Sequence, residues 1–436
     1  MRTYDTYKDS GISWLGQIPS HWEVKRTRIV LSENAVSNSD VKITNQLQFK
    51  YGEIVPKANQ ALDDSVKETI SKYTVVDEGD IMINGLNLNY DFISQRVAQV
   101  KEQGCITSAY ISLRPTYLAL SRFYTYYLKA MDDIKMFHGM GSGVRLTLAY
   151  KELRNMYIPI PPIDEQQAIA NYIDDAIANI DTAISQQQKM IDLLKERKQI
   201  IINEAVTRGL NPDVTMQETG IEWLPQIPAH WRIRRFKNLF RTRTGISFTK
   251  AQIEDEGEQV ISYGQIHSKD NWFASINPAL IRHIPASLVV GYDGAIAKYG
   301  DFLFADTSED FEGCGNCIFV DTYDKLYAGY HTILAKKDND EYGQYLAYLF
   351  ASTNWRGQLR SAVNGVKVYS VTQTILNGVY VILPPIDEQK DIANFVTDRI
   401  KPIDTSIERC KRMIELLTER KQIVINDVVT GKIKVS

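Results

Sequence analysis

Residues 11–26 read GISWLGQIPSHWEVKR, and residues 220–235 read GIEWLPQIPAHWRIRR. At an offset of 209, Gly, Ile, Trp, Leu, Gln, Ile, Pro, His, Trp and Arg recur in place. A second block recurs at an offset of 223. PPIDEQ occupies 161–166 and 384–389, and ERKQI occupies 196–200 and 419–423. Two different offsets make the spacer between the blocks 14 residues longer in the second copy. The chain is therefore a tandem repeat of a variable region followed by a helical block. Its expected parts are 1–160, a first globular region; 161–213, a helical block; 214–383, a second globular region; and 384–436, a second helical block. The flanks agree while the spacers diverge, as in a shared scaffold carrying two different recognition surfaces.

The chain has 436 residues, of which 44% are apolar and 24% charged, which places it with globular rather than disordered proteins. No apolar run approaches the ~18 residues of a membrane span, and the opening MRTYDTYKDSG has no apolar core of a secretory signal. Four scattered cysteines do not make a disulfide framework and suit a reducing cytoplasm. The net charge of −3 excludes a diffuse polycation, so any nucleic-acid contact must use local patches.

Each helical block opens on a proline pair, and Asp164 and Asp387 suit helix N-caps there, Asp164 forming a capping-box pattern with Gln167. The helix dipole accounts for the neighbouring carboxylates without an acid/base role. Beyond lies a three–four apolar spacing: Ile177, Ile180, Ile184, Gln187, Ile191, Leu194, Lys198, Ile201 and Ala205. Ile400, Ile403, Ile407, Cys410, Ile414, Leu417, Lys421, Val424 and Val428 match it in the second copy. Such a seam packs helix on helix, and one lysine at the same place in each copy sets register. Pro402 is expected to break the second helix into a short piece and a longer one of about 28 residues, roughly 42 Å or 12 base pairs long. The two helices are expected to pair within the chain as an antiparallel coiled coil, with Met190, Leu193, Met413 and Leu416 left to receive a further partner. The chain's termini are expected to meet.

The globular regions read as mixed α+β. Tyr73–Ile83, Ala109–Leu113, Gln259–Tyr263, Ser287–Tyr292 and Asp301–Phe304 suit strands, and 117–134 and 341–360 suit helices. Basic residues cluster after each Trp motif: Lys25, Arg26 and Arg28, then Arg234, Arg235 and Lys237, extended by Arg241, Arg243 and Lys250. Glycine loops carry Arg145 and Lys367. These eleven cations are the candidate DNA contacts, and solvated surface charge or helix contact is the plainer alternative for each. Cys314-Gly-Asn-Cys317 lacks the second pair of a zinc site, and His21 and His230 read as packed corners, so no metal is expected. Walker A, HExxH, GxSxG and the Asn-Pro-Pro-aromatic tetrad of adenine methyltransferases are all absent from the sequence.

The doubled GISWLGQIPSHW/GIEWLPQIPAHW and PPIDEQQAIANYI/PPIDEQKDIANFV, closed by LLKERKQIIINEAVTRG and LLTERKQIVINDVVTGK, resemble the specificity subunit of type I restriction-modification systems. The likeness covers the whole chain. It implies two target recognition domains, each reading one half of a split, asymmetric site on double-stranded DNA. It implies helical blocks that space those domains and dock two methyltransferase subunits, which restriction subunits then join. S-adenosylmethionine, ATP and magnesium would be used by those partners, and this chain would be non-catalytic and cytoplasmic. A coiled-coil scaffold that binds no DNA is the alternative. The end Thr207-Arg208-Gly209, against Thr430-Gly431-Lys432, is a small departure between the copies.

Overall fold

The computed structural model describes residues 2–58, 62–141, 146–363 and 368–435. It divides into two units, Met1–Gln188 with Lys411–Ser436, and Lys189–Cys410. Each unit holds one globular region and stretches of both long helices, so the units cut across the four sequence blocks. No helix of the described residues is long and apolar enough to cross a membrane.

In the first unit a four-stranded antiparallel sheet runs Leu31–Glu33, Ile111–Pro115, Ile81–Ile83, Val97–Gln99. The helix Ser121–Asp133 packs on it, burying Phe123, Tyr124 and Tyr127. In the second unit the same order returns as Phe240–Thr244, Thr332–Lys337, Phe302–Ala305, Cys317–Phe319. A second sheet there contains one parallel pair, Glu258–Ile261 with Leu326–Ala328. Most of the expected strands form, because their β-branched and aromatic residues fill a half-buried pleat. Ser287–Tyr292 does not: it contains a short 3₁₀ turn, Ala286–Val289, with Gly291 at φ 81°. The expected helix at 341–360 is two, Gly343–Ala351 and Thr353–Ala362. Ser352 ends the first and caps the second by accepting from Trp355 N–H.

The two long helices are Ile163–Arg208 and Ile386–Val429. Both exceed the expected 28 residues, and the second continues through Pro402 rather than breaking there. Pro402 is exposed, so water can take the carbonyl that its missing N–H leaves unbonded, while Ile400, Ile403 and Ile407 stay buried alongside. Neither expected aspartate cap forms. Each helix begins two residues earlier than such a cap allows, at Ile163 and Ile386, with Gln166 N–H bonded to Pro162 O and Gln389 N–H to Pro385 O, which leaves Asp164 and Asp387 inside the first turn. Gln167 bonds Asn171 instead of closing a capping box.

Within each unit the helix stretches run antiparallel. In the first unit, His21 bonds Glu165 while its neighbour Trp22 lies against Gly431, and further along Lys421 reaches Asp181. In the second unit, Gly209 lies against Glu388 and Trp231, and Lys198 reaches Asp404. Every seam position is turned inward. Ile180, Ile191, Ala205, Ile403, Ile407, Val424 and Val428 are buried, and Ile184, Leu194, Lys198, Ile201, Ile414, Leu417 and Lys421 are half-buried. The chain's two ends meet in the first unit, where Arg2 pairs with Lys434 across a short bridge.

Candidate nucleic-acid interface

The basic clusters sit where each Trp motif joins its long helix. Strand Glu23–Arg26 pairs with Tyr157–Ile160, and Arg232–Arg235 pairs with Tyr380–Leu383. The paired strand runs straight into the proline pair and the helix. Register sets Arg26 opposite Tyr157 and Arg235 opposite Tyr380. Arg26 lies over the Tyr157 ring at 5.5 Å, and Arg235 over Tyr380 at 3.7 Å. These stacked guanidiniums leave N–H groups for an outside acceptor, as cation–π pairs at exposed sites do.

Not every candidate is equally open. Lys25 is paired with Glu23 at 2.8 Å. Arg26 and Arg28 both donate to Asn155 Oδ1. Arg241 bonds Asp338 at 2.7 Å. Arg235 also donates to Gly378 O and the Tyr380 hydroxyl. Arg234, Lys237, Arg243 and Lys250 are exposed. Arg145 and Lys367 lie outside the described residues.

Two motif residues have roles that sequence reasoning missed. Gln166 is fully buried: its Oε1 accepts from Leu120 N–H at 2.8 Å, and its Nε2 donates to Leu118 O and Pro161 O at 2.9 Å. Gln389 does the same with Tyr342 N–H and Pro384 O, and also bonds Glu341. Each glutamine thus pins the helix start to its globular region. The preceding glutamate holds the Trp motif, Glu165 to His21 at 2.7 Å and Glu388 to His230 at 2.8 Å. Tyr4 also donates to Glu165, and burial pushes its phenol well up. The signal for these roles was the unbroken repetition of DEQ.

The cysteine pair is part of the core. Cys314 and Cys317 are buried, and burial pushes the Cys317 thiol up to about 12. Among the described residues no group of three or more His, Cys, Asp or Glu side chains is placed to hold a metal.

Comparison with known proteins follows the same division into halves. A family model described as "Type I restriction modification DNA specificity domain" matches twice, over residues 22–191 and 228–416. The type I restriction enzyme MjaVIII specificity subunit of Methanocaldococcus jannaschii is 23% identical over 96% of this chain and 94% of its own length. A putative type I restriction enzyme MjaX specificity subunit of the same organism is 24% identical over 97% and 96%. A chain solved in work on assembly and conformational transition of the type I R-M system superposes with a TM-score of 0.70 at 14% identity, over 95% of this chain and 99% of that one. The HsdS subunit of Thermoanaerobacter tengcongensis gives 0.51 at 16% identity, over 95% and 98%.

Proposed function

Since this chain belongs to the type I restriction modification DNA specificity family, we propose that it is the DNA-sequence specificity subunit of a type I restriction-modification complex. The observation that carries this is the doubled specificity domain, each copy closed by its own stretch of antiparallel helix pair. Each domain reads one half of a split, asymmetric site on double-stranded DNA. The chain is non-catalytic. Two methyltransferase subunits dock on it and methylate adenine from S-adenosylmethionine. Restriction subunits join through them and supply ATP- and magnesium-dependent cleavage, in the cytoplasm. Two docking places are supported by a repeated exposed apolar stripe on the helices: Met190, Leu193 and Ile200 in one unit, and Met413, Leu416 and Ile423 in the other.

The test is a mobility shift on random-sequence duplex DNA, with and without the methyltransferase partner, followed by a map of methylated adenines. A bipartite methylated sequence supports the reading; no DNA binding in either state sinks it. Neutralising Arg234 and Lys237 together should weaken binding to all sequences and lower the salt slope by up to ~2, because phosphate contacts position the protein and carry no sequence. A changed half-site with unweakened affinity would remove these two from the backbone contacts.

A further inference from the structure

The two globular regions share little sequence between their flanking motifs, yet one loop recurs in the same place on the sheet. It joins the strands Ile81–Ile83 and Val97–Gln99 in the first unit, and Phe302–Ala305 and Cys317–Phe319 in the second. At its tip stand Asp91-Phe92 and Asp310-Phe311. In both copies the aspartate folds inward: Asp91 Oδ1 accepts from Ile93 N–H at 3.0 Å and Ser94 N–H at 2.9 Å, and Asp310 Oδ1 accepts from Gly313 N–H at 2.5 Å. Those N–H groups hold the Asp91 carboxyl down at about 2.

Arginine braces both loops from beneath. Arg96, buried, donates to the carbonyls of Asn84, Leu86, Asn87 and Asp91. In the second unit Arg356 bonds Asn316 at 2.7 Å, and Arg360 bonds the Glu312 carbonyl and carboxylate beneath the Phe311 ring. The phenylalanine rests on one ring and shows the rest of itself to solvent. Phe92 stacks on His138 at 4.6 Å and is 55% exposed; Phe311 meets Tyr369 edge-on at 5.5 Å and is 44% exposed.

Each ring keeps one side on its own domain and leaves about half of its surface to solvent on a braced loop. The recurrence of this arrangement in two otherwise divergent domains points to a shared contact, and the neighbours that differ point to a selective one. Resting on the DNA-specificity reading above, we propose that these two loops are the base-contacting tips, with Phe92 and Phe311 each wedged against a base step of its half-site and the flanking side chains selecting bases. Approaching from the major groove, where the flanking side chains meet base edges, the ring gains its stacking on a base only where those flanking contacts hold the half-site in place. The flanks are chemically opposite. Tyr90 and Ile93, 76% and 94% exposed, suit the methyl group of thymine. Glu309, exposed, suits the amino group of cytosine, while Glu312 is held by Arg360.

The experiment uses the full chain with its methyltransferase partner, measuring affinity for the mapped site and for unrelated duplex, together with the methylation map. Phe92→Ala and Phe311→Ala should each lower affinity for the site about tenfold and leave affinity for unrelated DNA and the salt slope unchanged. Phe92→Tyr, which keeps the ring, should bind as wild type, and circular dichroism checks that each variant folds. Ile93→Ser should relax one half-site of the methylation map and Glu309→Gln the other. Unchanged ratios of site to unrelated affinity in both alanine variants overturn the proposal. So does loss of methyltransferase association with DNA preference intact, which would make the loops protein-docking surfaces. A wild-type complex that prefers no sequence would instead bring down the specificity reading itself.

Discussion

Gln166 shows how much one motif side chain can hold. Its amide satisfies one backbone N–H and two carbonyls that have no other described partner in the pocket it fills. Gln166→Leu keeps the approximate volume but strands those groups in a fully buried site. We expect a loss of about 2–4 kcal/mol in denaturant unfolding of the first unit, the sum of desolvation penalties at buried groups. A change under about 1 kcal/mol would show that the bonds are dispensable. The seam lysines behave differently, since they are partly exposed. Lys198–Asp404 and Lys421–Asp181 have N–O distances of 2.7 and 2.8 Å. A double-mutant cycle on Lys198 and Asp404 should give a coupling of about 0.5–1 kcal/mol that shrinks in high salt. A coupling insensitive to salt would contradict that account.

At the scale of elements, the apolar three–four spacing of the helices was legible, because helical period and burial coincide over many turns. Their aspartate partners were not. Asp181 and Asp404 recur at the same offset of 223, directly after seam isoleucines, but a charged residue on a helix reads as solvated until its opposite number is known. Pro402 misled because proline's local cost was weighed without the packing that outweighs it. The braced loops were invisible for a sharper reason: Asp91-Phe92 and Asp310-Phe311 stand 219 residues apart, an offset that matches neither repeat block. Strands of three to six residues with insertions between them shift register freely, so only the sheet order brings the two loops into correspondence. Of the eleven candidate cations, the stacking of Arg26 and Arg235 on tyrosines needed strand pairing to be seen. The helices also carry a prediction. Met190, Leu193 and Ile200 changed together to serine should reduce the bound methyltransferase from two copies to one by native mass spectrometry, leaving the fold intact, since these side chains are 48%, 60% and 49% exposed. Two copies still bound would remove the stripe from the docking surface.

For the whole molecule, the two repeat offsets foretold the doubling, and the bridge between Arg2 and Lys434 shows that the ends are neighbours. The one-residue difference between Thr207-Arg208-Gly209 and Thr430-Gly431-Lys432 has a structural answer. The first helix ends at Arg208 and the second at Val429, so that both glycines adopt φ 75° and lie against a tryptophan of the Trp motif. A Cβ on Gly431 would come within 2.4 Å of Pro19, which is why glycine stands there. A circular permutant with the old ends joined by a short linker and opened near Asn211 should fold and bind the same site, measured by thermal melting and mobility shift. Loss of folding in that permutant would mean that the bridge between the ends depends on their being free.

The first unit's core contains Val424, Ile425, Val428 and Val429 beside Trp22, Ile169 and Ile173. Among the described residues, the large core cluster of the second unit runs from Ile202 to Ile400, all of it within Lys189–Cys410. On a ribosome, therefore, the half of the protein made first is finished last. The N-terminal domain emerges with an apolar face waiting for the stretch from Lys411 onward, which is made after its younger neighbour has all it needs to close. A chain released after Cys410 would hold every residue of the second unit while its first carried exposed core, a ready client for chaperones and proteases.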